Sequence, residues 1–447
     1  MRIVVAGAGD LGFTIAKTLV ADEFDVVLVD RNPDQCREIQ NNIDCLVFCD
    51  EVTSTSFYQR QDVVGADLFI ACIGKDEENL VACMLAKHYG ITKTIACVKN
   101  ADYSRYERKF LEEQMQIDMV LNPSHIMAME IAQVVTASSS LNVEQFADGK
   151  VSMFEAKLTE DSEFLGCALK DLELPEDILA AMITRKNRVL IPSGNDLLME
   201  DDYVYFVGTT EKIEEFQKHF PQIYTSPKKI MVIGAGRTGR FLAPLLVEKG
   251  KQVKIVDKDE ERCRRMAAEL QDATVLQGDG MDMNFLEEEG VHQADLIIAI
   301  TDDDRLNLMT ALVAKHLGAR RSLVRLNHTE YLNLMEKAGV DMVLSSQMLA
   351  AAEILRFAHR GEVVNVAFLG DSRVEAVELV LGQGSSAQDK QVKNLSLSKD
   401  SLLCAIVRGN QAHIPKGSTT LLAGDRLVVL SRNDKMKEVT KLFESKE

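Results

Sequence analysis

Short apolar, β-branched runs alternate with helical periodicity along the first part of the chain. In order they are IVVAG at 3–7, a helix from Gly12 to Val20, DVVLVD at 25–30, CLVF at 45–48, DLFIACI at 67–73, a helix from Glu77 to His88, TIACV at 94–98 and DMVL at 118–121. Strand-sized runs with helices between them predict βαβ units and a parallel sheet covered on both faces. From residue 151 the pattern changes. VSMFEAKL, AAMITRKN and DYVYFVGT read as strands separated by turn residues such as Pro192, Ser193 and Gly194, which predicts a small α+β domain behind the doubly wound one.

Everything then happens again. GAGDLG at 7–12 recurs as GAGRTG at 234–239, and VLVD ending at Asp30 recurs as KIVD ending at Asp257. NLVACMLAKHYG from Asn79 recurs as NLMTALVAKHLG from Asn307, DMVL recurs at 341, and IPSG at 191 returns as IPKG at 414. The expected fold class is therefore α/β: a tandem repeat of a Rossmann-like doubly wound parallel-sheet domain followed by a small α+β domain. Four domains are expected, at residues 1–140, 141–222, 228–361 and 362–447, with the proline-containing FPQIYTSPKK at 220–229 as the linker between repeats. The crossover helices at 124–136 and 347–359 each carry an apolar stripe, which suits either a dimer seam or packing within their own domain.

Each glycine loop follows a strand and opens a helix. Gly7 and Gly234 permit the tight turn, Gly9 and Gly236 let backbone N–H groups approach a diphosphate, and Gly12 and Gly239 let the helix pack against the sheet. Asp30 and Asp257 end the second strand of each repeat, at the spacing that accepts hydrogen bonds from an adenosine ribose. A carboxylate there repels a 2′-phosphate and favours NAD over NADP, although Arg31 and Lys258 follow directly. The ends of the third and fourth strands should line the same crevice: Glu51, Val52 and Ile73 in the first repeat, Asp279, Gly280 and Thr301 in the second. Arg325 ends strand five of the second repeat within reach of a phosphate, where the first repeat has Cys97. The TDDD run at 301–304 reads as helix-capping acids rather than a divalent-metal site.

Composition narrows the function. The chain has 447 residues and a net charge of -18, from 51 basic and 69 acidic side chains. That balance excludes nucleic acid and adhesion to anionic lipid, and leaves small molecules and protein as partners. No apolar run approaches the ~20 residues of a membrane span, and no signal peptide precedes the first strand, so a cytoplasmic location is expected. The nine cysteines form no CxxC pair and read as small buried hydrophobes. His88 and His316 each end a helix, where the dipole suits them. GxSxG, HExxH and Walker A patterns are absent, and no side chain stands out as the acid or base of a hydride transfer. The expectation is a protein with neither catalytic residues nor metal ligands.

The GAGDLG loop with Asp30, the GAGRTG loop with Asp257, GDG at 278–280, DDDRLNLMTALVAKHLGA at 302–319 and VRGNQAHIPKGSTTLLAGDRLVVL at 407–430 resemble the family of cytoplasmic Trk potassium-uptake regulatory proteins. Members pair two nucleotide-binding RCK or KTN domains, of TrkA-N type, each with a smaller TrkA-C domain. The resemblance covers essentially the whole chain. It implies a regulatory subunit that binds NAD or NADH and ATP or ADP, assembles as a homo-oligomer, a tetrameric ring, and docks on the inner face of the cell membrane against an integral-membrane potassium-translocating subunit. Carried over position by position, Gly7, Ala8, Gly9, Asp10, Leu11, Asp30, Glu51, Val52 and Ile73 would form the first pocket. Gly234, Ala235, Gly236, Arg237, Thr238, Asp257, Asp279, Gly280 and Thr301 would form the second. The first repeat departs from the family at DEVT, residues 50–53, and at Cys97. Two other readings of the residues stay open: an NAD-dependent oxidoreductase, and a soluble nucleotide or redox sensor without a membrane partner.

Overall fold

Each strand of the first sheet is apolar at successive positions rather than at alternate ones, as a sheet covered on both faces requires. In a computed structural model, which describes residues 1–105, 108–136, 143–172, 174–185, 188–220, 226–358, 363–369 and 374–444, the first repeat runs β1 (Arg2–Ala6), α1 (Asp10–Ala21), β2 (Asp25–Asp30), α2 (Pro33–Asn42), β3 (Leu46–Cys49), β4 (Leu68–Ala71), α3 (Asp76–His88), β5 (Lys93–Cys97), α4 (Ala101–Arg105), α5 (Arg108–Glu113), β6 (Met119–Leu121) and α6 (Pro123–Thr136). The strands form a six-stranded sheet in the order β3-β2-β1-β4-β5-β6, parallel throughout. β1 pairs with β2 on one side and β4 on the other, so the strand order reverses beside the first glycine loop. There follow β7 (Val143–Phe146), β8 (Val151–Lys157), β9 (Ile178–Arg185), β10 (Arg188–Leu190), β11 (Tyr203–Thr209) and α7 (Thr210–Phe216), an antiparallel sheet in the order β10-β9-β11-β8-β7.

The second repeat copies this: β12 (Lys229–Ile233), α8 (Arg237–Glu248), β13 (Gln252–Asp257), α9 (Glu260–Glu269), β14 (Thr274–Gln277), α10 (Met283–Glu288), β15 (Leu296–Ala299), α11 (Asp304–His316), β16 (Ser322–Leu326), α12 (Leu332–Lys337), β17 (Met342–Ser345) and α13 (Ser346–Ala358), in the parallel order β14-β13-β12-β15-β16-β17. It closes with β18 (Val363–Leu369), β19 (Val374–Val380), β20 (Ser401–Arg408), β21 (Gln411–His413), β22 (Arg426–Arg432) and α14 (Asn433–Phe443), in the order β18-β19-β22-β20-β21. The tandem Rossmann-like and small antiparallel architecture read from the sequence is the one observed.

Compactness sorts sheet type with sheet type, not repeat with repeat. One unit comprises Met1–Thr136 and Pro227–Leu355, the other Ala137–Ser226 and Arg356–Glu447. The domain boundaries expected near 140 and 362, and residues 221–225 of the linker, lie outside the described residues.

Within the first unit, α6 packs against the other repeat, which neither reading of its apolar stripe foresaw. Its stripe of Met127, Ala128, Ile131, Ala132 and Val135 is buried in one cluster with Phe241, Leu242, Ala243 and Leu246 of α8, and the rings of His125 and Phe241 lie 5.0 Å apart. The seam is between the two repeats of one chain. Within the second unit the two antiparallel sheets share a core: Met153, Met182 and Val207 cluster with Ala376, Cys404, Val428 and Leu430. The opposite faces are covered separately, by α7 with Phe154, Phe206 and Phe216 and by α14 with Val439 and Phe443. Matching ion pairs to buried aspartates hold the two small sheets, Arg185 to Asp202 and Arg408 to Asp425, both at 2.7 Å. Among the described residues no helix is long and apolar enough to cross a membrane.

Candidate nucleotide-binding sites

The turn after β1 exists only because its residues lack side chains. Gly7 has φ +114°, in the range that favours glycine, and a methyl group on it would stand 2.7 Å from the carbonyl oxygen of Cys72. A methyl group on Gly12 would overlap the carbonyl oxygen of Gly7. Gly9 differs in kind: a methyl group there meets nothing within 4 Å, so its bare Cα faces open space at the start of α1. That opening lies at a helix N-terminus and at the point where the strand order reverses, the place at which doubly wound folds in general bring a diphosphate to backbone N–H groups. The second loop repeats the design, with Gly234 at φ +121° and Gly239 against the Gly234 carbonyl.

The carboxylates after β2 and β13 lock these loops. Asp30 accepts the Ala8 N–H at 2.7 Å on one oxygen and the Asn32 N–H at 2.8 Å on the other. Asp257 accepts the Ala235 N–H at 2.7 Å and the Asp259 N–H at 2.9 Å. Each carboxylate oxygen has a further lone pair, the capacity a ribose hydroxyl uses. Asp30 is half-buried and Asp257 buried.

At the end of the fourth strand the backbone N–H and C=O groups are already engaged. The Ile73 N–H donates to Asn79 Oδ1 at 2.7 Å, and Asn79 Nδ2 donates to the Cys97 carbonyl at 2.8 Å. The Thr301 N–H donates to Asn307 Oδ1 at 2.9 Å, and Asn307 Nδ2 donates to the Arg325 carbonyl at 3.0 Å. These two buried asparagines tie the ends of strands four and five together. The aspartates one turn earlier do likewise: Asp76 accepts the N–H groups of Lys99 and Asn100, and Asp304 those of Asn327 and His328. Sequence reasoning missed all four, and the repeated D-x-x-N at the start of α3 and α11 was the available signal. Asp303 caps α11 by accepting from Arg305 and Leu306, the role the sequence suggests for the TDDD run.

The third-strand residues divide. Glu51 and Asp279 sit at the surface side, while Val52 is buried with Phe57 and Tyr58 and offers a ligand only its backbone. Gly278 and Gly280 are required by neighbours, since methyl groups there would overlap the Phe285 ring and Ile233. The two sites also differ in charge at the loop. Arg237 replaces Asp10, both exposed, and buried Thr238, whose hydroxyl has no hydrogen-bond partner among the described residues, replaces Leu11. Arg325 is held by Asp302 at 2.9 Å, Asn327 at 2.9 Å and Ser346 at 3.0 Å. Cys97 at the matching place is buried. Burial also raises the Cys36 thiol to about 11, while Cys49 is exposed, an exception to the expectation of buried thiols.

The TrkA-N domain family matches residues 3–123 and again 230–346, and the TrkA-C domain family matches 153–220 and 376–444. The chain belongs to the TrkA family. Relatives of this TrkA-family chain include Trk system potassium uptake protein TrkA homolog 1 of Methanosarcina mazei, 32% identical over 99% of this chain and 100% of that one. Another is the Trk system potassium uptake protein TrkA of Haemophilus influenzae, 29% identical over 99% of both. Among solved structures, the GsuK channel bound to NAD superposes with a TM-score of 0.62 at 19% identity, covering 99% of this chain and 78% of that one. The GsuK RCK domain gives 0.61 at 19% identity, covering 99% and 94%. A potassium-uptake regulatory protein of tandem RCK architecture, as the sequence suggested, is what these relatives support.

Proposed function

We propose that the chain is the nucleotide-responsive regulatory subunit of a potassium uptake system. It binds NAD or NADH and adenine nucleotides in its two crevices and transmits their occupancy to an integral-membrane potassium-translocating partner. The observation that carries this reading is the doubled contact of Asp30 with Ala8 and of Asp257 with Ala235, in a chain that matches TrkA proteins from end to end. The GsuK channel, whose RCK region shares the fold, is known with NAD and with ADP bound.

In this reading Gly7 to Leu11 with Asp30, Glu51, Val52 and Ile73, and Gly234 to Thr238 with Asp257, Asp279, Gly280, Thr301 and Arg325, hold the nucleotides. Their work is binding alone: the glycine loop and helix N-terminus take the diphosphate, the carboxylate the ribose, and the third and fourth strand ends border the base and the distal group. The chain acts on the cytoplasmic face as a ring of four copies. Its net charge of -18 opposes direct adsorption to anionic lipid, so attachment runs through the membrane partner. Nucleotide binding by the purified chain tests the reading, measured with NAD, NADH and ATP on wild type, Asp30→Ala and Asp257→Ala. Each substitution removes one carboxylate and is expected to weaken binding at its own crevice. If neither weakens any of the three ligands, the site assignment is wrong.

A further inference from the structure

The two crevices are not equivalent, and one side chain of the second lies directly over its glycine loop. Arg262, in the first turn of α9, places Nη1 3.7 Å from Asp257 Oδ2 and Nε 3.6 Å from Asp259 Oδ2. A methyl group on Gly236 would stand 4.0 Å from that same Nη1. The guanidinium therefore lies over the one glycine of the loop whose exposed Cα admits a phosphate, and 46% of its side chain remains accessible. In the first repeat the corresponding residue is Gln35, Asn32 replaces Asp259, and the space above Gly9 is open. Thr238 adds a buried hydroxyl without a hydrogen-bond partner among the described residues in the same turn, where the first repeat has Leu11.

We propose that Arg262 makes the second crevice selective for a ligand with a terminal phosphate at the glycine loop, a nucleoside diphosphate, and that the first crevice takes the dinucleotide. The proposal rests on the two-site reading above. The bridging diphosphate of a dinucleotide is esterified at both ends and carries one charge on each phosphate. The terminal phosphate of a nucleoside diphosphate ionises a second time, with a pKa near ~6 for phosphate monoesters, and so presents more charge to the same loop. A guanidinium responds to that extra charge with paired N–H donors, whereas glutamine does not. When Arg262 turns to a phosphate, it also leaves Asp257 Oδ2, which accepts the Ala235 N–H, free to accept from a ribose hydroxyl.

The test uses the full-length protein and calorimetric titration with ADP, NAD and NADP. Asp30→Ala isolates the second crevice, and Asp257→Ala the first. In the Asp30→Ala background, Arg262→Gln is expected to weaken ADP about tenfold, the scale of one charge-assisted hydrogen bond to a half-exposed group, and NAD by less than about twofold. In the Asp257→Ala background, Gln35→Arg is expected to tighten ADP at the first crevice. Equal weakening of ADP and NAD by Arg262→Gln would overturn the proposal, as would an effect confined to NADP, which would put the guanidinium at the ribose end. A failure of Gln35→Arg to favour ADP would overturn it as well. If the Asp30→Ala, Asp257→Ala double variant still binds ADP and NAD like wild type, it is the two-site reading itself that fails.

Discussion

Val52 and Gly280 occupy the same place in the two repeats, as do Ala6 and Ile233. Ala6 and Val52 are buried in one cluster. In the second repeat a β-carbon on Gly280 would overlap Ile233 Cγ2 and lie 3.6 Å from its Cβ and 3.7 Å from its Cδ1. The room that Val52 takes in one sheet is thus filled by Ile233 in the other. Gly280→Val alone overpacks the end of β12 and should cost about 1–3 kcal/mol. Ile233→Ala alone leaves a cavity and should cost about 2–5 kcal/mol. Gly280 is not at positive φ, so valine strains no backbone there, and the two changes together add as many carbon atoms as they remove. The double variant should therefore cost less than about 1.5 kcal/mol, as a volume-conserving exchange does, where simple addition gives about 3–8 kcal/mol. Because a chain of four sheets need not unfold in one step, amide exchange on β12 under native conditions is the suitable measurement, across all four proteins of the cycle. A double variant no better protected than the summed singles predict would show that Ile233 is not what keeps position 280 a glycine.

Four further outcomes are expected. Gly12→Ala and Gly239→Ala, which in an open helix would gain up to about 1 kcal/mol of propensity, should instead destabilise the first unit and abolish nucleotide binding at their own crevice, because the methyl group overlaps the Gly7 or Gly234 carbonyl; thermal midpoint and titration check both. Asp202→Ala and Asp425→Ala each remove a buried carboxylate that a part-exposed arginine holds bidentately and that also accepts the Met199 or Leu422 N–H, and should cost about 1–3 kcal/mol in the second unit by denaturant unfolding. His328 has its pKa raised above 6.5, first by its hydrogen bond to Asp304 and then by the charges of Asp304, Asp10 and Glu330. The pair's contribution is complete below the unfolded value and is lost as pH rises through the folded one; an NMR titration should show His328 titrating late, and Asp304→Asn should remove the delay. Asn79→Ala and Asn307→Ala should each loosen strands four and five at their carboxyl ends, seen as faster exchange of the Ile73 or Thr301 amide.

What the sequence conveyed depended on whether a residue's job left a pattern. The parallel sheets were legible because strands buried on both faces are unbroken apolar runs, and the doubled glycine loops because a tight turn admits no other residue. Asp76, Asn79, Asp304 and Asn307 were not legible: an acid in the first turn of a helix is equally well explained by the dipole, and only folding brings strand five to their side chains. Arg262 left no signal of its own, since nothing in ERCRR says which arginine points back over Gly236. β7 and β10 were missed because short edge strands such as VEQF and RVL carry little apolar signal. The α6 stripe was visible, but its partner α8 lies more than a hundred residues away in the other repeat.

The seam between α6 and α8 bears on why two sites occur in one chain. A nucleotide shifts a conformational equilibrium only by the difference between its affinities for the two states, and about 5.5 kcal/mol in total carries a population from 1:99 to 99:1. For the proposed ring of four such chains, with two crevices each, that total would correspond to about 0.7 kcal/mol per crevice, roughly a threefold difference in affinity between states. So small a difference needs only one contact to change on binding: the guanidinium of Arg262 exchanging Asp257 for a phosphate is of sufficient size, since part-exposed ion pairs lie at about 0–1 kcal/mol. In the proposed function, the core joining the two parallel-sheet domains, with Met127 and Ile131 packed among Phe241 and Leu242, would let the two crevices bias one movement and not two. On this account Ile131→Ala, which loosens the core without touching either crevice, should leave each nucleotide's affinity for the isolated chain nearly unchanged while reducing the effect of one ligand on the binding of the other.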